Sequence, residues 1–337
     1  MARLDNHETT QSAPEAPQWP PERAYQGRMP RERSTRSSVG MALVVIGLIW
    51  LAVSIVPGMP LFGIPGGQET VADQRVSGRH LMLDAGSADV EITRAGDDQI
   101  HVVLVQRGGD QNDADVDIVQ QGDTVDVSHT LQPCLVFCFR SLTYRIAMPA
   151  GTSAEVHSVN GDIQVRDLDG GLTVRTTSGD VELRHLSGQL QVESVSGDVA
   201  LESGAVAGAD VRTVSGDIDL HGVSQKLAVE TASGDIDVEG DANTLTLGSA
   251  SGDIAYRGSL AGESASSLNS ISGDVSITLA QQSSFVLDAS TVSGDLANQF
   301  ELSGATLAPK AVHGRAGAGN ATLTVRTTSG DIELRAK

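Results

Sequence analysis

The sequence predicts an all-β fold, a single-stranded parallel β-helix (β-solenoid) with about 18 residues per rung, preceded by one transmembrane α-helix. Three observations predict it. A Ser-Gly-Asp motif recurs at a nearly constant interval, apolar and polar residues alternate around it, and one long uncharged apolar segment lies near the N-terminus. Aromatic residues make up only 3% of the chain, so small and β-branched side chains are expected to fill a regular interior.

The apolar segment predicts a membrane-spanning helix over residues 37–60. Its densest part, Val39–Val56, would form about 27 Å of helix, which nearly crosses a hydrocarbon core of roughly 30 Å. Arg23, Arg28, Arg31, Arg33 and Arg36 precede it and acidic residues follow it, so the positive-inside rule predicts a cytoplasmic N-terminus. A cleaved signal peptide is the alternative, but the polar leader is 36 residues long and no small-x-small cleavage site follows the apolar run.

These features divide the chain into five predicted parts. Everything beyond the helix is expected to be exported, which places the protein in the cell (inner) membrane with a periplasmic or extracellular C-terminal domain. Most of the net charge of −20 lies in that domain, and so acidic a surface repels nucleic acid. The parts are a disordered cytoplasmic tail (1–36), the transmembrane helix (37–60), a linker (61–79), an irregular β cap region (80–150) and the β-solenoid repeats (151–337).

The repeat is a Gly-Asp pair that follows Ser or Asn and precedes an aliphatic residue. The first five steps between successive aspartates are 18 or 19 residues and the next two are 21. The last step of 36 predicts two periods with one degenerate rung near His313 and Gly314. Because Gly accepts a positive φ and Asp can cap backbone amides, each pair is predicted to be a structural turn. The pairs are Gly161 and Asp162, Gly179 and Asp180, Gly197 and Asp198, Gly216 and Asp217, Gly234 and Asp235, Gly252 and Asp253, Gly273 and Asp274, Gly294 and Asp295, and Gly330 and Asp331.

Strand patterning accompanies each turn. Within one period Val214, Ile218, Leu220, Leu227 and Val229 alternate with polar residues, which predicts two short strands with one face inward. One such unit cannot bury its apolar face, so successive units should stack about 4.8 Å apart with like residues in columns. A further column is predicted to be either a ladder suited to glycan or protein contact or ordinary solvated strand surface: Thr176, Ser194, Thr213, Thr231, Ser249, Ser270, Thr291 and Thr327.

Residues with reactive side chains show no catalytic or metal-binding pattern. The histidines lack paired ligand spacing and no GxSxG context singles out a serine, so no catalytic residue, metal or other cofactor is predicted. A calcium ladder on the aspartates is the alternative to turn capping, but the denser glycine spacing of calcium-binding β-rolls is missing. A disulfide between Cys134 and Cys138 is favoured by an oxidising exterior and requires a loop between them.

The segment Tyr144–Val165, followed by Ser-Gly-Asp rungs, resembles a bacterial β-strand-repeat family of the cell envelope. Its members are domains of unknown function that are often labelled "putative adhesin". The likeness covers about residues 80–337. It implies a β-helix in the envelope, with roles proposed in adhesion or envelope-stress sensing and no catalytic residues to carry over.

We therefore expect a protein that is not an enzyme: a membrane-anchored envelope β-solenoid acting as an adhesion, scaffold or interaction module. Its expected partners are the membrane, through helix 37–60, and an envelope protein or glycan, with self-association left open. The alternative is an envelope-stress sensor that signals through the Arg-rich tail. A polysaccharide-acting enzyme on the same scaffold is the least favoured possibility.

Overall fold

A computed structural model of the chain describes residues 68–108, 114–131, 140–222, 225–260 and 264–337. These stretches hold 27 β-strands, which confirms the all-β prediction for this part of the chain. In the same stretches no helix has the length and apolar character needed to span a bilayer. The predicted transmembrane helix at 37–60 lies outside the described residues, and so do Cys134 and Cys138.

The strands are β1 (Gln68–Val76), β2 (His80–Gly86), β3 (Asp89–Arg94), β4 (Ile100–Arg107), β5 (Ala114–Gln121), β6 (Thr124–Leu131), β7 (Ser141–Met148), β8 (Ser153–Asn160), β9 (Ile163–Arg166), β10 (Leu172–Ser178), β11 (Val181–Arg184), β12 (Ser187–Ser196), β13 (Val199–Glu202), β14 (Ala205–Ser215), β15 (Ile218–His221), β16 (Lys226–Ser233), β17 (Ile236–Glu239), β18 (Thr244–Ser251), β19 (Ile254–Gly258), β20 (Ala265–Ser272), β21 (Val275–Leu279), β22 (Phe285–Ser293), β23 (Leu296–Asn298), β24 (Ser303–Ala308), β25 (Ala311–Ala316), β26 (Ala321–Ser329) and β27 (Ile332–Ala336).

The repeats from β8 to β21 build two parallel sheets. Sheet A contains the odd-numbered strands β9 to β21, and sheet B contains the even-numbered strands β8 to β20. Neighbouring strands pair one repeat apart in register, so that Ile163 lies beside Val181 and Val181 lies beside Val199. All three side chains are buried, since alternate residues of each strand point into the shared apolar interior. A solenoid-like stack of rungs is therefore confirmed in the described residues.

At the end of the stack nearest the N-terminus, the order in space differs from the order in the chain. Strands β2 and β3 form a rung directly against β8 and β9. Strands β6 and β7 come later in sequence but lie outside that rung, paired in parallel with β2 and β3. Antiparallel strands β5 and β4 pair with β6 and β7, and β1 pairs with β4. The parallel stack is thus covered by antiparallel pairs.

The opposite end of the stack contains an inserted rung. Strands β26 and β27 lie against β20 and β21, and the earlier strands β22 and β23 lie outside them. Strand β25 pairs antiparallel with β22, and β24 pairs antiparallel with β25. The predicted degenerate rung near His313 and Gly314 is therefore wrong, because these residues belong to β25. Within the 36-residue step, the chain leaves the position beside β20 and β21 empty and forms the outer rung with β22 and β23. It then returns, and β26 and β27 fill the empty position.

The corner glycines stack so closely that no side chain fits between rungs. Gly234 has a φ of +149°, a conformation that residues with a Cβ rarely adopt. A Cβ at Gly234 would also overlap the carbonyl oxygen of Gly216, which lies one rung away. The same contact repeats along a column that follows the inserted rung, in the spatial order Gly161, Gly179, Gly197, Gly216, Gly234, Gly252, Gly273, Gly330 and Gly294.

The predicted solvent-facing column of Thr and Ser is wrong, because these side chains are only 4–7% exposed. Each points inward just before the corner, where several hydroxyls donate to corner carbonyls. Thr291 Oγ1 donates to the Gly330 carbonyl over 3.0 Å, and Thr327 Oγ1 donates to the Gly273 carbonyl over 3.2 Å. Val214, which was predicted to face inward, is 54% exposed because it follows the inward-facing Thr213 at the corner. The buried column is Thr176, Ser194, Thr213, Thr231, Ser249, Ser270, Thr291 and Thr327.

We predict that Gly234→Ala lowers the free energy of unfolding by about 2–4 kcal/mol, because the new Cβ meets rigid backbone in a strained conformation. The matched control is Gly248→Ala, whose Cβ would lie 3.8 Å from Glu230 Cγ in ordinary contact. Denaturant unfolding of the full chain in detergent, followed by circular dichroism, measures both. Equal midpoints for the two variants would contradict the close stacking of corners.

The buried hydroxyl column offers a second comparison. Thr291→Val should lower the free energy of unfolding by about 0.5–1.5 kcal/mol, because it removes the bond to Gly330. Thr231 Oγ1 is buried without an acceptor among the described residues, so Thr231→Val should leave stability unchanged or raise it. The same unfolding measurement decides. A Thr231→Val variant that loses as much stability as Thr291→Val would show that both hydroxyls are bonded.

Candidate functional site

The corner aspartates form a hydrogen-bonded ladder from rung to rung. The backbone N–H of Asp235 donates to Oδ1 of Asp217, and that of Asp253 donates to Oδ1 of Asp235, each over 2.8 Å. Such a charge-assisted bond contributes roughly 1.5–3 kcal/mol, which offsets the repulsion between stacked carboxylates. One oxygen of each carboxylate thus holds the next corner. In spatial order the ladder is Asp89, Asp162, Asp180, Asp198, Asp217, Asp235, Asp253, Asp274, Asp331 and Asp295.

Asp89 belongs to this ladder although the sequence analysis did not single it out. Its Oδ1 accepts from the Asp162 backbone N–H over 3.2 Å. The Ala88 carbonyl takes the place of a corner glycine carbonyl beneath Gly161. The signal was the Asp-Val pair of a worn repeat, in which Ala88 replaces the usual glycine.

Possible metal ligands do not converge. In the ranges that the structure describes, no group of three or more His, Cys, Asp or Glu side chains could hold a metal ion. The histidines are distributed along the stack, and several contact one or two carboxylates. His221, for example, lies 2.8 Å from Asp219 and 3.5 Å from Glu239.

A half-buried His129 contacts the buried Tyr144 at the N-terminal end of the stack. His129 Nδ1 is 3.0 Å from the Tyr144 hydroxyl, and the two rings are 5.6 Å apart. Burial lowers the pKa of the His129 imidazole and raises the pKa of the Tyr144 hydroxyl. Both side chains are therefore held in their neutral forms, and the pair joins β6 to β7 inside the rung.

Charged side chains on the outward faces are largely paired between strands. On sheet B, Arg175 Nε lies 3.3 Å from Glu193, and Arg212 Nε lies 3.4 Å from Glu230. On sheet A, Arg257 lies 2.6 Å from Asp237. Exposed pairs of this kind contribute little to stability, and they leave few free charges on these faces.

Sheet B carries a groove of about 500 Å³ beside these ion pairs. The groove exists because two glycines, Gly171 and Gly208, lie on either side of Gln189 in one outward-facing column. The Gln189 side chain lies over Gly208, whereas the atoms nearest to a Cβ at Gly171 are 3.9 Å away. In order along the stack, the column is His80, Ser153, Gly171, Gln189, Gly208 and Lys226.

An extra residue in β14 helps to form the groove. The register between β12 and β14 shifts after Gly188, so that Gln189 pairs with Gly208. This bulge accounts for the single 19-residue step between Asp198 and Asp217. The irregular step was the one sequence signal that could have pointed to this site.

Several polar groups of the groove are free. The Thr173 hydroxyl, the Gln189 amide and the Lys226 ammonium make no hydrogen bond or ion pair with any residue that the structure describes. Asp210, by contrast, is held 2.8 Å from the Arg212 guanidinium. The groove therefore combines fixed and unpaired polar groups around the two glycines. None of these residues was predicted from the sequence to form a site.

Several solved structures are similar to this chain at low sequence identity. No curated protein matches the chain. A "putative adhesin" from Bacteroides fragilis is 15% identical, covering 80% of this chain and 97% of that one, with a TM-score of 0.42. A "putative adhesin" from Parabacteroides distasonis is 11% identical (80% and 98% covered, TM-score 0.43), and a "putative lipid binding protein" from the same species is 12% identical (80% and 97% covered, TM-score 0.37).

These structural similarities are too low to assign a function, and the family rests on sequence. A family model described as Toastrack DUF4097 matches residues 79–266 and 242–335, which together cover most of the chain and nearly all of the stacked rungs. The resemblance noted in the repeats is thereby confirmed, and the chain belongs to the Toastrack DUF4097 family.

Proposed function

We propose that the chain is a non-catalytic interaction module of the bacterial cell envelope, anchored by the helix at 37–60, which binds its partner through the groove of sheet B. The groove is the observation that carries the proposal. Its Thr173, Gln189 and Lys226 side chains are unpaired among the described residues, whereas neighbouring charges on the same face are satisfied. Unpaired polar groups around an open floor are available to a ligand.

His80 and Ser153, at one end of the groove, resemble part of a catalytic site. His80 Nδ1 lies 2.8 Å from Ser153 Oγ, the separation of a nucleophile and its general base. A hydrolytic site also needs a group that orients the imidazole. Among the described residues Ser153 is the hydrogen-bond partner of His80, and no carboxylate holds the other ring nitrogen. This arrangement favours binding over hydrolysis.

Anchorage is supported by the uncharged segment and by the arginines that precede it. We predict that the full chain stays with membranes after an alkaline carbonate wash. Replacing Ile46 and Ile49 together by Arg should move it to the supernatant, because each Arg at a helix centre opposes insertion by about 2.5–3.5 kcal/mol. Replacing both by Ala is the matched control and should keep the chain in the pellet. Release of the unaltered chain by the wash would contradict anchorage.

Binding through the groove is tested by filling it. Gly171→Val should leave the fold intact, because the nearest atoms to a Cβ there are 3.9 Å away. We predict that this variant, as full chain in lipid nanodiscs, binds isolated envelope fractions at least tenfold more weakly than the unaltered chain. The control is Gly248→Val on the same sheet but outside the groove, which should bind normally. Equal retention of Gly171→Val and the unaltered chain would exclude the groove as the contact surface.

A further inference from the structure

The groove runs across the strands rather than along them. It extends from Ser153 on β8 to Lys226 on β16, four rung steps or about 19 Å. It lies open on an outward sheet face, so it would enclose little of a compact small molecule, whereas small-molecule sites bury most of their ligand. A chain-like ligand lying along the stack would instead contact one rung after another. The rung spacing of about 4.8 Å is close to the length of one sugar unit in an extended chain.

The groups that line the groove match the hydroxyls of a sugar better than the side chains or backbone of a peptide. The Gln189 amide and the Thr173 hydroxyl can each donate and accept, which matches the two roles of a sugar hydroxyl. Leu172 and Leu190 are only 3% exposed, so the lining offers no apolar pocket for a peptide side chain. The groove also lies on a sheet face, so no free strand edge is available there for an added peptide strand.

The charged groups of the groove further restrict the class of ligand. The chain carries a net charge of −20, so an anion is repelled except where a local cation is free. Arg212 is not free, because Asp210 and Glu230 hold its guanidinium. Lys226 is unpaired among the described residues, and it lies at the end of the glycine column. Its ammonium is a compact charge that can receive one carboxylate.

We propose that the groove of sheet B binds an acidic polysaccharide strand, laid along the stack, with its hydroxyls on Thr173 and Gln189 and one uronate carboxylate on Lys226. This inference rests on the proposed function, because it names the ligand of the same groove.

Isothermal titration of the full chain in nanodiscs with hexagalacturonate tests it, with the fully methyl-esterified hexamer as the uncharged match. The unaltered chain should bind the acid about two- to fivefold more tightly than the ester, the gain that one exposed ion pair supplies. Lys226→Gln should remove this preference while binding to the ester persists, because only the charged contact is lost. Gly171→Val should weaken both, and Gly248→Val should weaken neither.

Three results would overturn the inference: no binding of the acid by the unaltered chain, equal affinity for acid and ester, or full binding by Gly171→Val. The two proposals fail separately. If the galacturonates do not bind but Gly171→Val still binds envelope fractions more weakly than the unaltered chain, the ligand is not an acidic glycan and the groove remains the contact surface. If Gly171→Val retains the envelope fractions, the groove itself is excluded.

Discussion

The structure depends on how closely one corner of the backbone can approach the next. Parallel rungs pair about 4.8 Å apart, and at that spacing a carbonyl of one corner occupies the space where the next would place a Cβ. Glycine is therefore required at each corner from Gly179 onward by packing as well as by φ. The adjacent aspartate then bonds the amide of the following corner. Both features have the period of the stack, which is why the motif is repeated so strictly along the chain.

The fold was predictable because its signals are local. Alternating apolar residues such as Ile218 and Leu220 mark inward faces, and the Gly-Asp pairs mark the interval at which strands meet. The ends were not predictable, because the antiparallel strands and the rung order there are set by contacts between distant segments. The direction of Thr213 and Val214 was also misjudged. Alternation shows that two neighbours face opposite ways, and only the position of the corner decides which one is buried.

The candidate site could not be predicted from the sequence for a different reason. A groove is formed by side chains that are missing, and Gly171 and Gly208 resemble many other glycines in a chain that contains 37. Their importance comes from sharing one column with Gln189, which follows from the pairing of β10, β12 and β14. In the sequence, the bulge that sets this pairing is visible only as one extra residue between Asp198 and Asp217. The spacing alone does not show on which face of sheet B the extra residue helps to form a groove.

The inserted rung has a consequence for how the molecule is made. Strands β22 and β23 pair with β26 and β27, which emerge from the ribosome after them. A growing chain can add the earlier rungs one by one as they appear, but it must leave β22 and β23 without their final neighbours until residues 321–336 arrive. Completion of this end is then a single late event. Any chain interrupted before that event would expose two parallel sheet edges, the surface on which foreign strands most readily add.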